Sequence, residues 1–210
     1  MPIDYKKTEK ELYQPKTTPS VIDVPEMKFI AVDGKGDPNS SEKYAAAVEL
    51  LYGLSYTIKM DSKAVLEYVV PPLEGFWEVA DNFKGGGATI TDKSKFLWTM
   101  LIRQPDFVTA ELLESAKATL AKKKPGVDVS KARLEAITEG LCVQVMHIGS
   151  YDDEPATVAA LDKFAADNGY AVDMSGNRRH HEIYLSDPRK VAPEKLKTII
   201  RHPVVKGESL

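Results

Sequence analysis

The chain has 210 residues, 43% of them hydrophobic, and its 28 Lys and Arg residues against 31 Asp and Glu residues give a net charge of −3 at neutral pH. This composition is typical of a globular protein with a real core, and the lack of a basic excess argues against nucleic acid as the main partner. No apolar run is long enough to span a bilayer and the first residues carry no apolar signal segment, so we expect a cytoplasmic protein that contacts no membrane.

Residues 1–25 are polar and contain four prolines, so they are predicted to be an extended arm before a single folded domain of residues 26–210. The first half of this domain, residues 26–105, begins with an apolar strand at 27–33 and a loop that contains glycine. A serine can then cap an amphipathic helix, because the next residues repeat at helical spacing. The stripe of this helix comprises Tyr44, Ala47, Val48, Leu51, Leu54, Ser55 and Ile58.

Strands are predicted to complete the first half. Residues 65–70 and 76–79 have the composition of strands, and the three glycines at 85–87 predict a flexible turn. Residues 95–102 are predicted as a long strand that is apolar on both faces. A connecting helix then occupies residues 106–126, where a Pro-Gly pair ends it.

The second half, residues 127–210, repeats the order of the first. A strand at 140–148 and a loop precede a helix at 154–168. Strands around Glu182 and at 196–202 then follow. The chain is therefore predicted to contain two copies of one strand–helix–strand–strand unit.

The two copies also align by their apolar residues. When Gly36 is placed on Gly149, Val32 falls on Val145. The sequence therefore predicts an α+β fold in which duplicated β-α-β-β units form a pseudo-twofold antiparallel sheet with helices on one face. The other face is predicted to carry a ligand cleft shared by the two units, because binding sites favour such junctions.

Glu182 lies in the middle of a predicted strand, where a carboxylate is unusual. Strand alternation predicts that Ile183 and Leu185 face the helices, and that Glu182 and Tyr184 face the cleft. On composition alone Glu182 is an ordinary exposed residue. A carboxylate among aromatic rings could instead hold a cationic or flat ligand, or act as a base if an apolar pocket raises its pKa. The rings that favour this second interpretation are those of Trp77, Trp98, Tyr52 and Tyr56, although aromatic residues in strands more often belong to the core.

Other chemistry has weaker support in the sequence. Adjacent strand residues point to opposite faces, so His180 and His181 are not predicted to bind one metal ion together with Glu182. Cys142 lies in an apolar run and is predicted to be a buried small residue, and His202 is predicted to be structural. No glycine-rich stretch has the spacing of a phosphate loop, so we expect neither a metal nor a cofactor.

Three stretches carry a resemblance to a known family: residues 72–77 (PLEGFW), 98–108 (WTMLIRQPDFV) and 176–188 (GNRRHHEIYLSDP). Together with the duplicated unit, they resemble the stand-alone subfamily of the GyrI-like small-molecule-binding family over residues 25–205. The resemblance implies an SHS2-like fold, and it implies that Glu182 is the ligand-contacting acid of an aromatic-lined cleft. No helix-turn-helix motif is recognised ahead of the domain, so the transcription-regulator role of some relatives is not expected.

Members of this subfamily are similar to cyclopropanoid cyclopropyl hydrolases, which add water to the activated cyclopropane of DNA-alkylating natural products of the yatakemycin type. The resemblance therefore implies a xenobiotic-detoxifying hydrolase in which Glu182 is the base and Tyr184 or Tyr52 donates a hydrogen bond. The aromatic cage would comprise Trp77, Trp98, Tyr52, Tyr56 and Phe76. The alternatives are a protein that binds or sequesters drugs or cationic lipophiles without turnover, and a sensor of a metabolic ligand. In each case we expect a small-molecule ligand and a monomer or weak dimer.

Overall fold

Among residues 2–79 and 93–207, which the computed structural model describes, nine strands form an antiparallel sheet that carries three long helices on one face. The predicted turn at 85–87 lies outside the described residues. The elements in chain order are α1 (Tyr5–Thr8), α2 (Lys10–Tyr13), β1 (Ser20–Val24), β2 (Met27–Lys35), α3 (Glu42–Asp61), β3 (Leu73–Val79), β4 (Phe96–Gln104), α4 (Ala110–Lys123), β5 (Arg133–Ile137), β6 (Gly140–Ile148), α5 (Glu154–Asp167), β7 (Tyr170–Val172), β8 (His180–Tyr184) and β9 (Lys197–Lys206).

The order of the strands confirms the predicted α+β class and the duplication. The sheet runs β1-β6-β9-β8-β3-β4-β2-β5, and β7 pairs with β9 beside this path. The units β2-α3-β3-β4 and β6-α5-β8-β9 therefore lie side by side, and β3 pairs antiparallel with β8 where they meet. Strands β1 and β5 were not predicted. Strand β1 precedes the first unit in the chain but pairs with β6 of the second unit. Strand β5 precedes the second unit but pairs with β2 of the first unit.

The helices lie over the outer strands of their own units. Ser41 caps α3 by accepting a hydrogen bond from the Tyr44 amide at 3.3 Å, and the apolar stripe that includes Leu51 packs against Ile30 and Ile102. Helix α3 contacts β2 and β4, and α5 contacts β6 and β9. The central strands β3 and β8 consequently lie in the gap between the two helices.

The cleft lies on the helix-bearing face, so the prediction that placed it on the opposite face was wrong. Glu182 is paired with Ile200 of β9, whose side chain packs on α5, and Glu182 therefore points to the same side as the helices. Ile183 points to the other side, where Tyr13 of the N-terminal segment helps to bury it. The prediction failed because apolar alternation indicates that a strand face is covered, and does not indicate which layer covers it.

The N-terminal segment supplies that second layer, in place of the extended arm predicted from its prolines. It forms two short helical turns, and its strand β1 joins the sheet. Arg201 donates a hydrogen bond to the Leu12 carbonyl at 3.1 Å, and Gln144 donates one to the Glu11 carbonyl at 2.8 Å. The segment is thus packed and hydrogen-bonded as part of the folded domain.

The predicted strand at 65–70 is absent. Tyr68 forms only an isolated bridge with Ile3 of the N-terminal segment. Pro71 and Pro72 follow directly and have no amide hydrogens, so these residues cannot continue as a ladder into β3.

Candidate functional site

A cleft of about 1960 Å³ opens between α3 and α5, with β3 and β8 at its floor. Aromatic side chains from both units line it, namely Tyr44, Tyr52, Tyr56, Trp77, Phe96, Tyr151 and Tyr184. A cleft at the junction of two structural units, with apolar walls and a few polar groups, is a favoured place for a small-molecule site.

The pairing of β3 with β8 brings the functional groups of the floor together. Trp77 lies opposite His180 and Gly75 lies opposite Glu182, so these side chains share the cleft face. Gly75 leaves the space they need, because a Cβ at this position would lie 2.8 Å from Trp77 Nε1 and 3.2 Å from the Tyr184 hydroxyl. The glycine therefore allows Trp77 and Tyr184 to meet above the backbone.

Trp77, Tyr184 and Glu182 form a directed series of hydrogen bonds. Trp77 Nε1 donates to the Tyr184 hydroxyl oxygen at 2.9 Å, and that hydroxyl donates to Glu182 Oε2 at 2.7 Å. The direction is fixed because an indole N–H can only donate. The side chain of Glu182 is 13% exposed. Its carboxylate is therefore held in one orientation while remaining within reach of the cleft.

A second carboxyl group, that of Glu154, hydrogen-bonds to Glu182 from the start of α5 and is itself buried. Burial and the charge of Glu182 raise the pKa of Glu154 well above its ordinary value. Burial acts in the same direction on Glu182, but the hydrogen bond and charge of His180 and the hydrogen bond from Tyr184 outweigh it and lower the pKa of Glu182. Two adjacent carboxyl groups do not both ionise readily. The pair therefore holds one proton on Glu154 and leaves Glu182 ionised.

Two imidazole rings extend this network from Glu182 towards α5. His180 Nε2 lies 3.0 Å from Glu182 Oε1, and His180 Nδ1 lies 2.7 Å from His202 Nε2. The remaining ring nitrogen, His202 Nδ1, lies 2.6 Å from Asp162 Oδ1. The network is thus hydrogen-bonded from Asp162 at one end to Trp77 at the other.

Sequence reasoning missed Glu154, Asp162 and His202 as members of this site. A signal was present, since Glu154, Val158 and Asp162 recur every four residues on one helix face, and all three line the cleft. His202 lies two residues after Ile200 in β9 and so shares its strand face. Those spacings identify a common face, but only the fold identifies what that face meets.

The predicted aromatic residues separate into three positions. Trp77 lies on the floor, and Tyr52 and Tyr56 stack on each other along α3 with ring centroids 6.3 Å apart. Trp98 is only 3% exposed and packs in the core, its ring edge-on to that of Tyr44 at 5.3 Å, so α3 and Tyr44 separate it from the cleft.

Phe76 faces away from the cleft, as strand alternation requires of the neighbour of Trp77. It is buried on the opposite face against the ring of His181, with centroids 4.5 Å apart. The structure therefore places Phe76 outside the predicted cage. Tyr44, Phe96 and Tyr151 line the cleft in addition to the predicted residues.

No group of three or more His, Cys, Asp or Glu side chains within residues 2–79 and 93–207 is arranged to hold a metal ion. The His181 ring points away from the cleft and lies 3.0 Å from both Glu74 and Glu139. Burial alone would lower the pKa of His181, but the charge of Glu139, the hydrogen bond to Glu139 and the adjacent Glu74 carboxylate raise it to about 9. In the same part of the chain no helix is long and apolar enough to cross a bilayer.

The chemistry available to this arrangement follows from the ionised Glu182. The carboxylate can accept a proton from a nearby water molecule, or it can balance the charge of a bound cation. Its neighbour Glu154 keeps a proton, and aromatic rings surround both groups. The site is therefore suited to flat or lipophilic ligands that place a reactive or cationic centre at the floor.

Comparison with known proteins relates nearly the whole chain to one family. The model of the GyrI-like small-molecule-binding domain matches residues 17–205. The crystal structure of an uncharacterized conserved protein from Listeria innocua is 50% identical, with a TM-score of 0.91 over 97% of this chain and 100% of that chain. Two crystal structures described as hydrolases from Listeria innocua are 48% identical, with TM-scores of 0.86 and 0.88 over 97% and 98% of this chain and 100% of theirs. No curated protein matches the chain.

Proposed function

The chain belongs to the family of GyrI-like small-molecule-binding domains, and we propose that it is a cytoplasmic hydrolase of flat, hydrophobic xenobiotics. Its proposed reaction opens the activated cyclopropane of DNA-alkylating natural products of the yatakemycin type by adding water. The observation that carries this proposal is the Glu182 carboxylate on an aromatic floor, held by Tyr184 at 2.7 Å and by His180 at 3.0 Å. The lowered pKa of Glu182 and the raised pKa of its neighbour Glu154 are consistent with a base at this place. The hydrolase description of two similar structures supports it.

Flat ligands are proposed to bind between the aromatic walls. Tyr44 and Trp77 stack with centroids 6.2 Å apart, and Phe96 meets Trp77 edge-on at 5.5 Å. Tyr151 packs against Tyr184 at 6.0 Å on the other side. An aromatic pair contributes about 0.5–1.5 kcal/mol beyond the burial of its area. A planar polycyclic ligand in contact with several of these rings is therefore favoured over a small polar one.

The proposed reaction needs a base and an acceptor for the electrons of the broken bond. Water adds to the cyclopropane methylene as the strained C–C bond breaks, and the electron pair of that bond moves into the conjugated dienone, which becomes a phenolate. Glu182 takes the proton released by the water, and the phenolate oxygen takes up a proton to give a phenol. The sum is the addition of one water molecule, and it needs no other reactant.

Tyr52 is the donor that we assign to the dienone oxygen. Burial raises the pKa of Tyr52, so its hydroxyl keeps its proton and can donate it to a ligand in the cleft. Tyr184, the other donor predicted from the sequence, already donates to Glu182 at 2.7 Å. Tyr184 is therefore assigned the role of orienting the base.

Replacing Glu182 by Gln tests the base directly. We expect turnover of a cyclopropane-bearing alkylator, followed by absorbance, to fall by roughly 10²–10⁴-fold, the usual contribution of a general base. Binding of a flat ligand, followed by calorimetry, should remain largely intact. Glu114→Gln is the control, because Glu114 is an exposed carboxylate on α4, outside the cleft, that pairs with Lys117 at 2.8 Å. Turnover at the wild-type rate in Glu182→Gln would remove Glu182 as the base.

Binding without turnover is the second candidate, because an ionised carboxylate beneath aromatic rings is also suited to a lipophilic cation. Stoichiometric loss of free alkylator with no ring-opened product would favour this function. The affinities of two flat ligands of the same shape, one cationic and one neutral, provide a second way to distinguish sequestration from hydrolysis. If sequestration of cations is the function, the preference for the cation should be large and should disappear in Glu182→Gln.

A further inference from the structure

A continuous line of hydrogen bonds leads from Glu182 through His180 and His202 to Asp162, with links of 3.0, 2.7 and 2.6 Å. We propose that these three residues form a proton relay, which carries the proton taken up by Glu182 out of the site and restores the base. The inference rests on the proposed function, because it supplies a step that each hydrolytic turnover requires.

The other neighbours of Glu182 cannot take its proton. Burial and the charge of Glu182 raise the pKa of Tyr184 well above its ordinary value, so its hydroxyl keeps its hydrogen, and the oxygen already accepts from Trp77. Burial and the same charge hold a proton on Glu154. Among the described groups that are hydrogen-bonded to Glu182, His180 is the one that leads on to a further acceptor, His202.

The proton count of the line suits a relay. Three hydrogen bonds join the four groups, so a complete line needs three protons. An imidazole ring in its uncharged form carries one proton, so the two rings can supply two of them, and one further proton completes the line. This proton can reside on Glu182, on either ring or on Asp162, and every link then still has one donor and one acceptor. It can therefore pass from Glu182 to Asp162 in three hops, with no movement of the heavy atoms.

The surrounding charges favour passage along the line. Burial lowers the pKa of His202, and its hydrogen bond to Asp162 offsets this only in part, so the proton does not remain on that ring. Other titratable groups face the line from α5, β8, α3 and the turn before α5, and burial raises the pKa of each, so that all hold their protons at neutral pH. These groups are Glu154, Tyr184, Tyr44 and Tyr151. Beyond Glu154, Lys93 and Asp152 pair with each other at 3.2 Å.

Asp162 is the end of the line that reaches solvent. Its side chain is 22% exposed, whereas that of His202 is 4% exposed. A flat ligand lying over Trp77 would also cover Glu182. The Glu182 carboxylate would then have no direct contact with bulk water. The relay then moves the proton three links along the cleft, away from Trp77, to a carboxylate that is more exposed than the His202 ring.

Replacing Asp162 by Asn keeps a hydrogen-bond acceptor for His202 but removes the group that takes the proton. We expect kcat to fall by roughly 10²-fold in dilute buffer with little change in KM, and a high concentration of formate should restore part of the loss. Asp167→Asn is the control, because Asp167 lies on the same helix in an exposed pair with Lys163 at 2.6 Å. Equal kcat values for the two variants, both independent of buffer concentration, would overturn the relay.

A second readout does not depend on turnover. In a relay, the loss of the Glu182 charge in Glu182→Gln changes the titration of His202, which lies two links away, and NMR of ¹⁵N-labelled imidazoles measures it. An unchanged titration overturns the relay whatever the activity, whereas a wild-type protein that turns over no alkylator overturns the proposed hydrolysis, so the two failures are distinguishable.

Discussion

The hydroxyl group of Tyr184 links Trp77 to Glu182, and its removal in Tyr184→Phe should raise the pKa of Glu182. The 2.7 Å hydrogen bond that it donates to the carboxylate is charge-assisted, a class that contributes about 1.5–3 kcal/mol. One pKa unit corresponds to about 1.36 kcal/mol of difference between the two protonation states. The expected rise is therefore roughly 1–2 units, before any rearrangement of the donors that remain.

The sign of the effect on activity follows from the role of Glu182. The base acts when it is ionised, so kcat/KM falls as the pH drops through the pKa of Glu182. In Tyr184→Phe this acid limb should move to higher pH by roughly 1–2 units, the shift derived from the lost hydrogen bond. The profile is measured with a cyclopropane-bearing alkylator, and ¹³C NMR of the Glu carboxyl groups measures the same pKa without a substrate.

A control and a folding check make the result decisive. Tyr170→Phe removes a hydroxyl from β7 at the edge of the sheet and should leave the acid limb in place. Tyr184→Phe also leaves the Trp77 N–H without its partner, which should cost about 1–3 kcal/mol of stability in urea unfolding. An acid limb at the wild-type pH in a folded Tyr184→Phe variant would refute the reasoning, since the hydroxyl would then contribute nothing to the ionisation of Glu182.

Two further predictions concern the tryptophans and the face behind the cleft. Trp77→Ala should weaken the binding of a flat aromatic ligand, whereas Trp98→Ala should chiefly lower the free energy of unfolding, by about 3–5 kcal/mol as for a large buried aromatic residue; equal losses of binding would contradict this division. The free energy of unfolding should also depend on pH through His181 and Glu139. Because the pKa of His181 is raised from 6.5 to about 9, its contribution is complete below 6.5 and is lost as the pH rises through 9. Burial opposes ionisation of Glu139, but the charges of His181 and Arg201 lower its pKa from 4.5 to about 2, so its contribution is present above 4.5 and is lost as the pH falls through 2. Urea unfolding should show a plateau between pH 4.5 and 6.5, and stability that stays level between pH 6.5 and 9 would exclude the His181 contribution.

Local patterns were sufficient to predict the duplicated unit and the common face of Glu182 and Tyr184. Both follow from periodicity, since a helix repeats every three to four residues and a strand every two. Periodicity could not place the cleft, because Ile183 is buried by a segment far from it in the chain. It also could not predict the pairing of β1 with β6 of the second unit, or the pairing of β5 with β2 of the first unit.

The members of the hydrogen-bonded line could not be predicted for a related reason. His180 and Glu182 are two residues apart, and strand alternation alone places them on one face. Asp162 and His202 join them from α5 and β9, and each of them taken singly resembles an ordinary surface acid or structural histidine. Only the packing of α5 over β9 brings His202 within 2.6 Å of Asp162.

The ionic cluster behind the sheet explains why Glu182, and not its neighbour His181, faces the cleft. His181 points away from the cleft into a buried group with Glu74 of β3, Glu139 ahead of β6 and Arg201 of β9. Loss of one partner from such a group leaves an unpaired buried charge, at a cost of about 3–5 kcal/mol. A shift of β8 by one residue would break these pairs and would also turn Glu182 to the back and His181 to the cleft. The cluster therefore holds the register that presents the carboxylate, and the N-terminal segment that buries the cluster supports the site from the opposite face.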